Sequence, residues 1–147
     1  MTSSFVSMAG RVSMVMLLGI ASNPGFATPD ISAPEAFAAA SAGTITLIDI
    51  RTPEEWRRTG VAPGAGRVDF HRGPVHLLQN VLQQTGGDRN APIALICRTG
   101  NRTTHAQEFL QRQGFTQVFN VKEGMAGSAA GPGWLKRGLP VDACSLC

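Results

Sequence analysis

The sequence predicts an α/β fold: a parallel sheet of four to five strands with helices on both faces. Three observations point to it. Short apolar, β-branched runs alternate along the chain with segments that carry helix-start signals. The two strongest runs, Thr44-Ile45-Thr46-Leu47-Ile48-Asp49-Ile50 and Ile93-Ala94-Leu95-Ile96, are apolar on both faces, as strands buried between helical layers must be. Charged and reactive residues follow directly after the runs, which is where a parallel sheet collects its ligands.

The elements follow in order. Ile31 opens a very short first strand. Ser32-Ala33-Pro34-Glu35 is a helix start, with serine as the cap and a glutamate three residues on. An alanine-rich helix runs on to Ala42, and Gly43 ends it. After the 44–50 strand, Thr52-Pro53-Glu54-Glu55-Trp56 places a threonine cap ahead of a first-turn proline. Gly60 to Gly66 is a turn, and Arg67-Val68-Asp69-Phe70 a short strand. Val75 to Gln84 forms an amphipathic helix with Val75, Leu78, Val81 and Leu82 inward. The 93–96 strand precedes a helix over 102–113, whose apolar face is Ala106, Phe109 and Leu110. Gln117-Val118-Phe119-Asn120-Val121 is the last strand, and a glycine-rich stretch leads to a closing turn that lays Trp134 and Leu139 on the core. Asp49-Ile50-Arg51, Phe70-His71-Arg72, Cys97 and Val121-Lys122-Glu123 should therefore share one rim.

With 147 residues, 43% apolar and 16% charged, the chain suits one domain with a proper core. The net charge of +3, the lack of tyrosine and the lack of a basic run argue against nucleic-acid binding and leave room for a small anionic substrate. The first ten residues carry no acid, Arg11 is the first charge, residues 12–21 are apolar, and Gly25-Phe26-Ala27 follows. That layout is a secretory signal cut after Ala27, too short for a comfortable membrane span. The expected organisation is a leader over 1–27, a domain over 28–142 and a tail over 143–147, in a periplasmic or otherwise exported protein. Contact with a membrane is expected only if the leader stays uncleaved.

Cys97 carries the chemistry. A strand that stops on a cysteine, then a short polar loop, then a helix, directs backbone N–H groups at the sulfur and favours its thiolate. Arg98 and Arg102 flank it. The loop spacing is Cys-x4-Arg, whereas a tyrosine-phosphatase ring needs Cys-x5-Arg to encircle a phosphate; Thr103 occupies that next position and Ile96 precedes the cysteine. The smaller ring suits one extra sulfur atom. The other two cysteines, in Cys144-Ser145-Leu146-Cys147, can close as a disulfide or resolve a persulfide or mixed disulfide on Cys97; they are too few for structural zinc.

Taken together, Leu47-Ile48-Asp49-Ile50-Arg51-Thr52-Pro53-Glu54-Glu55-Trp56, the turn Gly60 with Pro63-Gly64-Ala65, the loop Cys97-Arg98-Thr99-Gly100-Asn101-Arg102-Thr103 and the segment from Gly114-Phe115 through Trp134 to Gly138-Leu139-Pro140-Val141 resemble a single-domain rhodanese. The resemblance spans about residues 30–142 and departs from the usual pattern at Val61-Ala62 and over residues 123–133. It implies a thiosulfate:cyanide-type sulfurtransferase. Cys97 would accept a sulfane sulfur from thiosulfate or another persulfide and pass it to cyanide or a thiol. The loop Arg98, Thr99, Gly100, Asn101, Arg102 and Thr103 would hold the persulfide, and Arg98 or Arg102 the charge of departing sulfite. Asp49, Arg51 and Glu55 are expected to brace the rim. No metal or organic cofactor is required. The alternative is a non-enzymatic persulfide carrier that docks to a thiol-redox protein partner; a third reading is an oxidoreductase built on Cys144 and Cys147.

Overall fold

The computed structural model describes residues 29–147, so the leader expected over 1–27 lies outside the described residues. Four helices and four strands alternate: α1 (Ala33–Ser41), β1 (Thr46–Asp49), α2 (Pro53–Thr59), β2 (Gly66–Arg67), α3 (Pro74–Gln84), β3 (Ile93–Ile96), α4 (Asn101–Arg112) and β4 (Val118–Asn120). The strands form one parallel sheet in the order β2-β1-β3-β4. This is the α/β architecture that the alternation predicts.

Alternate residues of the central strands feed two cores. Ile48, Ile93 and Leu95 point to one face and pack with Leu77 and Val81 of α3 and Ala106 and Leu110 of α4. Leu47, Ala94 and Ile96 point to the other and pack with Ala33 and Ala36 of α1, Met125 and Trp134. Trp134 is fully buried, its ring edge on Phe37 at 5.8 Å and its indole N–H donating to the Pro140 carbonyl at 2.9 Å. Both N-terminal caps form as complete capping boxes, Ser32 with Glu35 and Thr52 with Glu55.

Three local expectations need correction. The strand expected at Ile31 is a single parallel bridge between Asp30 and Asn120, flanked by Ile31 N–H to Asn120 O at 2.9 Å and Asn120 N–H to Pro29 O at 3.0 Å. The strand expected over 67–70 stops at Arg67, because the Asp69 side chain accepts from the His71 N–H (2.9 Å) and caps a 3₁₀ turn over Phe70–Arg72. Val75 is 67% exposed, not inward: α3 begins at Pro74, and Leu77 and Val81, one turn apart, form its buried stripe.

Among the described residues, no helix is long and apolar enough to cross a membrane. Cys144 and Cys147 form a disulfide, and Cys97 is free.

Candidate functional site

The site grows from β3. Its four residues are buried, so the strand delivers Cys97 at its carboxyl end with the side chain in the core, 1% exposed. The chain then turns through Gly100 into α4. Gly100 has φ +88, a left-handed conformation open to glycine, and a Cβ there would collide with the Lys122 carbonyl oxygen. That turn brings the Gly100 N–H to 3.2 Å from Cys97 Sγ. The Thr103 hydroxyl stands 3.5 Å from the same sulfur and 2.9 Å from the Gly100 carbonyl. Its one proton can serve only one acceptor at a time, so it can turn to the sulfur when charge builds there.

The segment after β4 clamps the loop from outside. Met125 N–H donates to Cys97 O and Ala126 N–H to Arg98 O, each at 2.9 Å. Gly124, with φ +67, leaves no space for a Cβ, which would run into the Arg98 carbonyl oxygen. Buried Glu123 fixes this segment. It accepts from Ala33 N–H at 2.8 Å, Gly133 N–H at 2.7 Å and Arg137 Nε at 2.8 Å. Burial by itself would raise its pKa, but these three donors outweigh burial and hold it below the ordinary glutamate value.

Four more of the expected site residues form two ion pairs. Arg51 is buried and donates to both Asp49 oxygens, to Thr59 Oγ1 at 2.7 Å and to Gly60 O at 2.9 Å, joining the end of β1 to the end of α2. Arg102 forks onto Glu55 with two bonds of 2.7 Å, tying α4 to α2. Hydrogen bonding from Arg102 is the main reason that the Glu55 carboxyl is held down at about 2. Arg102, expected beside the sulfur as one of two arginines that could hold the charge of departing sulfite, is engaged by Glu55.

Arg98 is exposed, and with Arg58 it lines a cleft of about 200 Å³ walled by Met125, Ala126 and Leu135. Neither arginine makes an ion pair within the described residues. Thr99 is half-buried and Asn101 exposed at the start of α4. Sequence reasoning placed Glu123 on the rim with Cys97 but gave it no role, and it did not single out Arg58 or Met125. Arg58 had a signal: it lies three residues after Glu55, hence on the same helix face. The bracing role of Glu123 had none, since its partners Ala33 and Gly133 donate through their backbone. His71 and His105 are exposed and no histidine touches the sulfur; among the described residues no acidic, histidine and cysteine cluster could hold a metal.

Chemically, the site is a buried thiol with a backbone donor, a rotatable hydroxyl and a cationic cleft beside it. The chain matches the rhodanese-like domain model over residues 32–130. A protein named as a sulfurtransferase from Allochromatium vinosum is 31% identical over 99 residues, 67% of this chain and 79% of that one. The solution structure of the polysulfide-sulfur transferase homodimer from Wolinella succinogenes is 26% identical with a TM-score of 0.61, covering 81% of each chain. The crystal structure of thiosulfate sulfurtransferase from Pseudomonas aeruginosa shares the fold, with a TM-score of 0.61 at 21% identity, over 78% of this chain and 20% of that one. With sheet order, cysteine loop and family match in agreement, the chain belongs to the rhodanese-like domain family, and sulfur transfer is its general chemistry.

Proposed function

We propose that the protein moves a sulfane sulfur from thiosulfate or a persulfide donor to cyanide or a thiol, through a persulfide on Cys97. The observation that carries this reading is the Gly100 N–H held on the buried Cys97 sulfur inside the short loop that ends at Arg102. The Cys97 thiolate attacks the outer sulfur of thiosulfate. The S–S bond of the donor breaks and sulfite departs with the electron pair. Arg98 and Arg58 supply the positive charge that an anionic donor and its leaving group require, since Arg102 is neutralised by Glu55. The persulfide then carries negative charge on its terminal sulfur, which loop N–H groups and the Thr103 hydroxyl stabilise. Cyanide or a thiolate attacks that sulfur and the Cys97 thiolate leaves. Two half-reactions on one nucleophile give ping-pong kinetics.

Asp49, Arg51 and Glu55 act as positioning residues in this scheme. They fix the ends of β1, α2 and α4 around the loop and make no hydrogen bond to the Cys97 sulfur, while Arg51 and Glu55 also line the cleft. We also propose that residues 1–27 direct export; the Cys144–Cys147 disulfide suits the oxidising compartment that such a leader implies.

The test is intact mass after thiosulfate, together with thiocyanate formation from thiosulfate and cyanide. The wild type gains one sulfur atom and turns over; Cys97→Ser does neither. Persulfide labelling without turnover would replace the enzyme by a carrier that serves a thiol-redox partner. No labelling by any donor would remove the proposal.

A further inference from the structure

The tail beyond the closing turn is docked, not loose. Asp142 and Val61 exchange both backbone hydrogen bonds, at 3.0 and 2.8 Å. Gly60 leaves space for this crossing, where a Cβ would lie 2.7 Å from the Asp142 carbonyl oxygen. Farther on, Arg57 of α2 donates to the Cys147 carbonyl at 2.5 Å. Arg67, at the end of edge strand β2, places its NH1 within 2.6 Å of both Cys144 Sγ and Cys147 Sγ.

The disulfide does not explain this docking. It joins two residues of the same tail and ties neither to the domain; the Val61–Asp142 pairing and Arg57 do that. A loop so short also constrains the unfolded chain least. Arg67 is the informative residue. It forms no ion pair with any carboxylate among the described residues, and its guanidinium faces two sulfurs. A disulfide sulfur is neutral and a weak acceptor, so a cation gains little from it. A thiolate gains a great deal. The arrangement favours the reduced pair. Both cysteines are partly exposed, and Ser145 and Leu146 between them face solvent, so a reagent can reach them.

We propose that Cys144 and Cys147 form a thiol–disulfide exchange site, separate from Cys97, in which Arg67 receives the leaving thiolate. The reductant class is a dithiol. One of its thiolates attacks one sulfur of the pair, the Cys144–Cys147 bond breaks, and the other sulfur leaves as a thiolate against Arg67. The donor's second thiol attacks the mixed disulfide and frees the first cysteine. Two electrons and two protons pass from the donor, which ends as a disulfide, to the pair, which ends as a dithiol. Arg67 is a positioning residue that biases this equilibrium.

The experiment uses the full chain carrying Cys97→Ser, so that no third thiol intervenes, equilibrated with reduced and oxidised dithiothreitol and read by alkylation and intact mass. Melting temperature is followed alongside. The pair is expected to pass reversibly between its two states while the protein stays folded. Arg67→Gln makes it harder to reduce on the order of tenfold and raises the pH at which the freed thiols react with iodoacetamide; Arg67→Lys restores much of both. A change under about twofold in Arg67→Gln, or reduction that occurs only on unfolding, overturns the proposal. Should Arg67→Gln melt early, the chain with Arg67 intact decides. Its reduced pair upholds the proposal by reacting with iodoacetamide at lower pH than free cysteine does, and overturns it by reacting at the same pH.

Discussion

Replacing Glu55 by glutamine removes the charge on the clamp between α2 and α4 while keeping its shape. The carboxyl sits at about 2 in the folded protein against 4.5 in a free chain, chiefly because Arg102 hydrogen-bonds it. Converted directly, that difference is a ceiling of about 3.4 kcal/mol. The two side chains are 20% and 18% exposed, so solvent screens part of it and about 1–2 kcal/mol is the expected share. The sign follows from a lowered folded-state value. The contribution is fully present above pH 4.5 and disappears as the pH falls through about 2. Urea unfolding of Glu55→Gln at pH 7 should therefore show a loss of about 1–2 kcal/mol. Between pH 4.5 and 2 the gap between wild type and variant should close, because the wild-type carboxyl becomes neutral. A double-mutant cycle with Arg102→Gln should return a coupling of similar size. A stability gap that stays constant across this acid window, or a coupling near zero at pH 7, would refute the reasoning.

Other expectations concern the loop, the cleft and the core. Gly100→Ala sets a Cβ against the Lys122 carbonyl in a left-handed turn; it should cost about 2–5 kcal/mol in urea unfolding and slow persulfide formation on Cys97. Arg98→Ala and Arg58→Ala should each raise KM for thiosulfate roughly two- to tenfold, with the loss shrinking at high salt, and leave the melting temperature nearly unchanged. Trp134→Ala removes a fully buried ring and its bond to Pro140 and should destabilise the domain by about 3–5 kcal/mol, measured by thermal or urea unfolding.

Much of this architecture was legible in the sequence, for physical reasons that differ from place to place. The central strands were readable because burial on both faces forces continuous apolar runs at 44–50 and 93–96. The starts of α1 and α2 were readable because a capping box leaves a fixed spacing, Ser32 to Glu35 and Thr52 to Glu55. The edges were not. The strand at 67–70 lost to a side-chain cap at Asp69, and the strand at Ile31 has too few residues to carry a period. At the site, Cys97, Gly100 and Thr103 stand together as their local spacing implies. The partition of arginines was illegible. Arg102 meets Glu55 across 47 residues of sequence, and only the folded packing of α4 against α2 decides that Arg98 and Arg58 remain unpaired.

The short pairing at Asp30 bears on the export proposal. Pro29 O and Ile31 N–H take up the outward-facing backbone groups of Asn120, the last residue of β4. Unpaired groups along a sheet margin invite a second polypeptide to add itself there. Scission after Ala27, the proposed cut, leaves Thr28 as the sole spare residue before this cover. Under the export proposal, a cut only a few positions deeper would strip this margin bare, so it would have to spare the short stretch Pro29 to Ile31 for the sheet edge to stay covered.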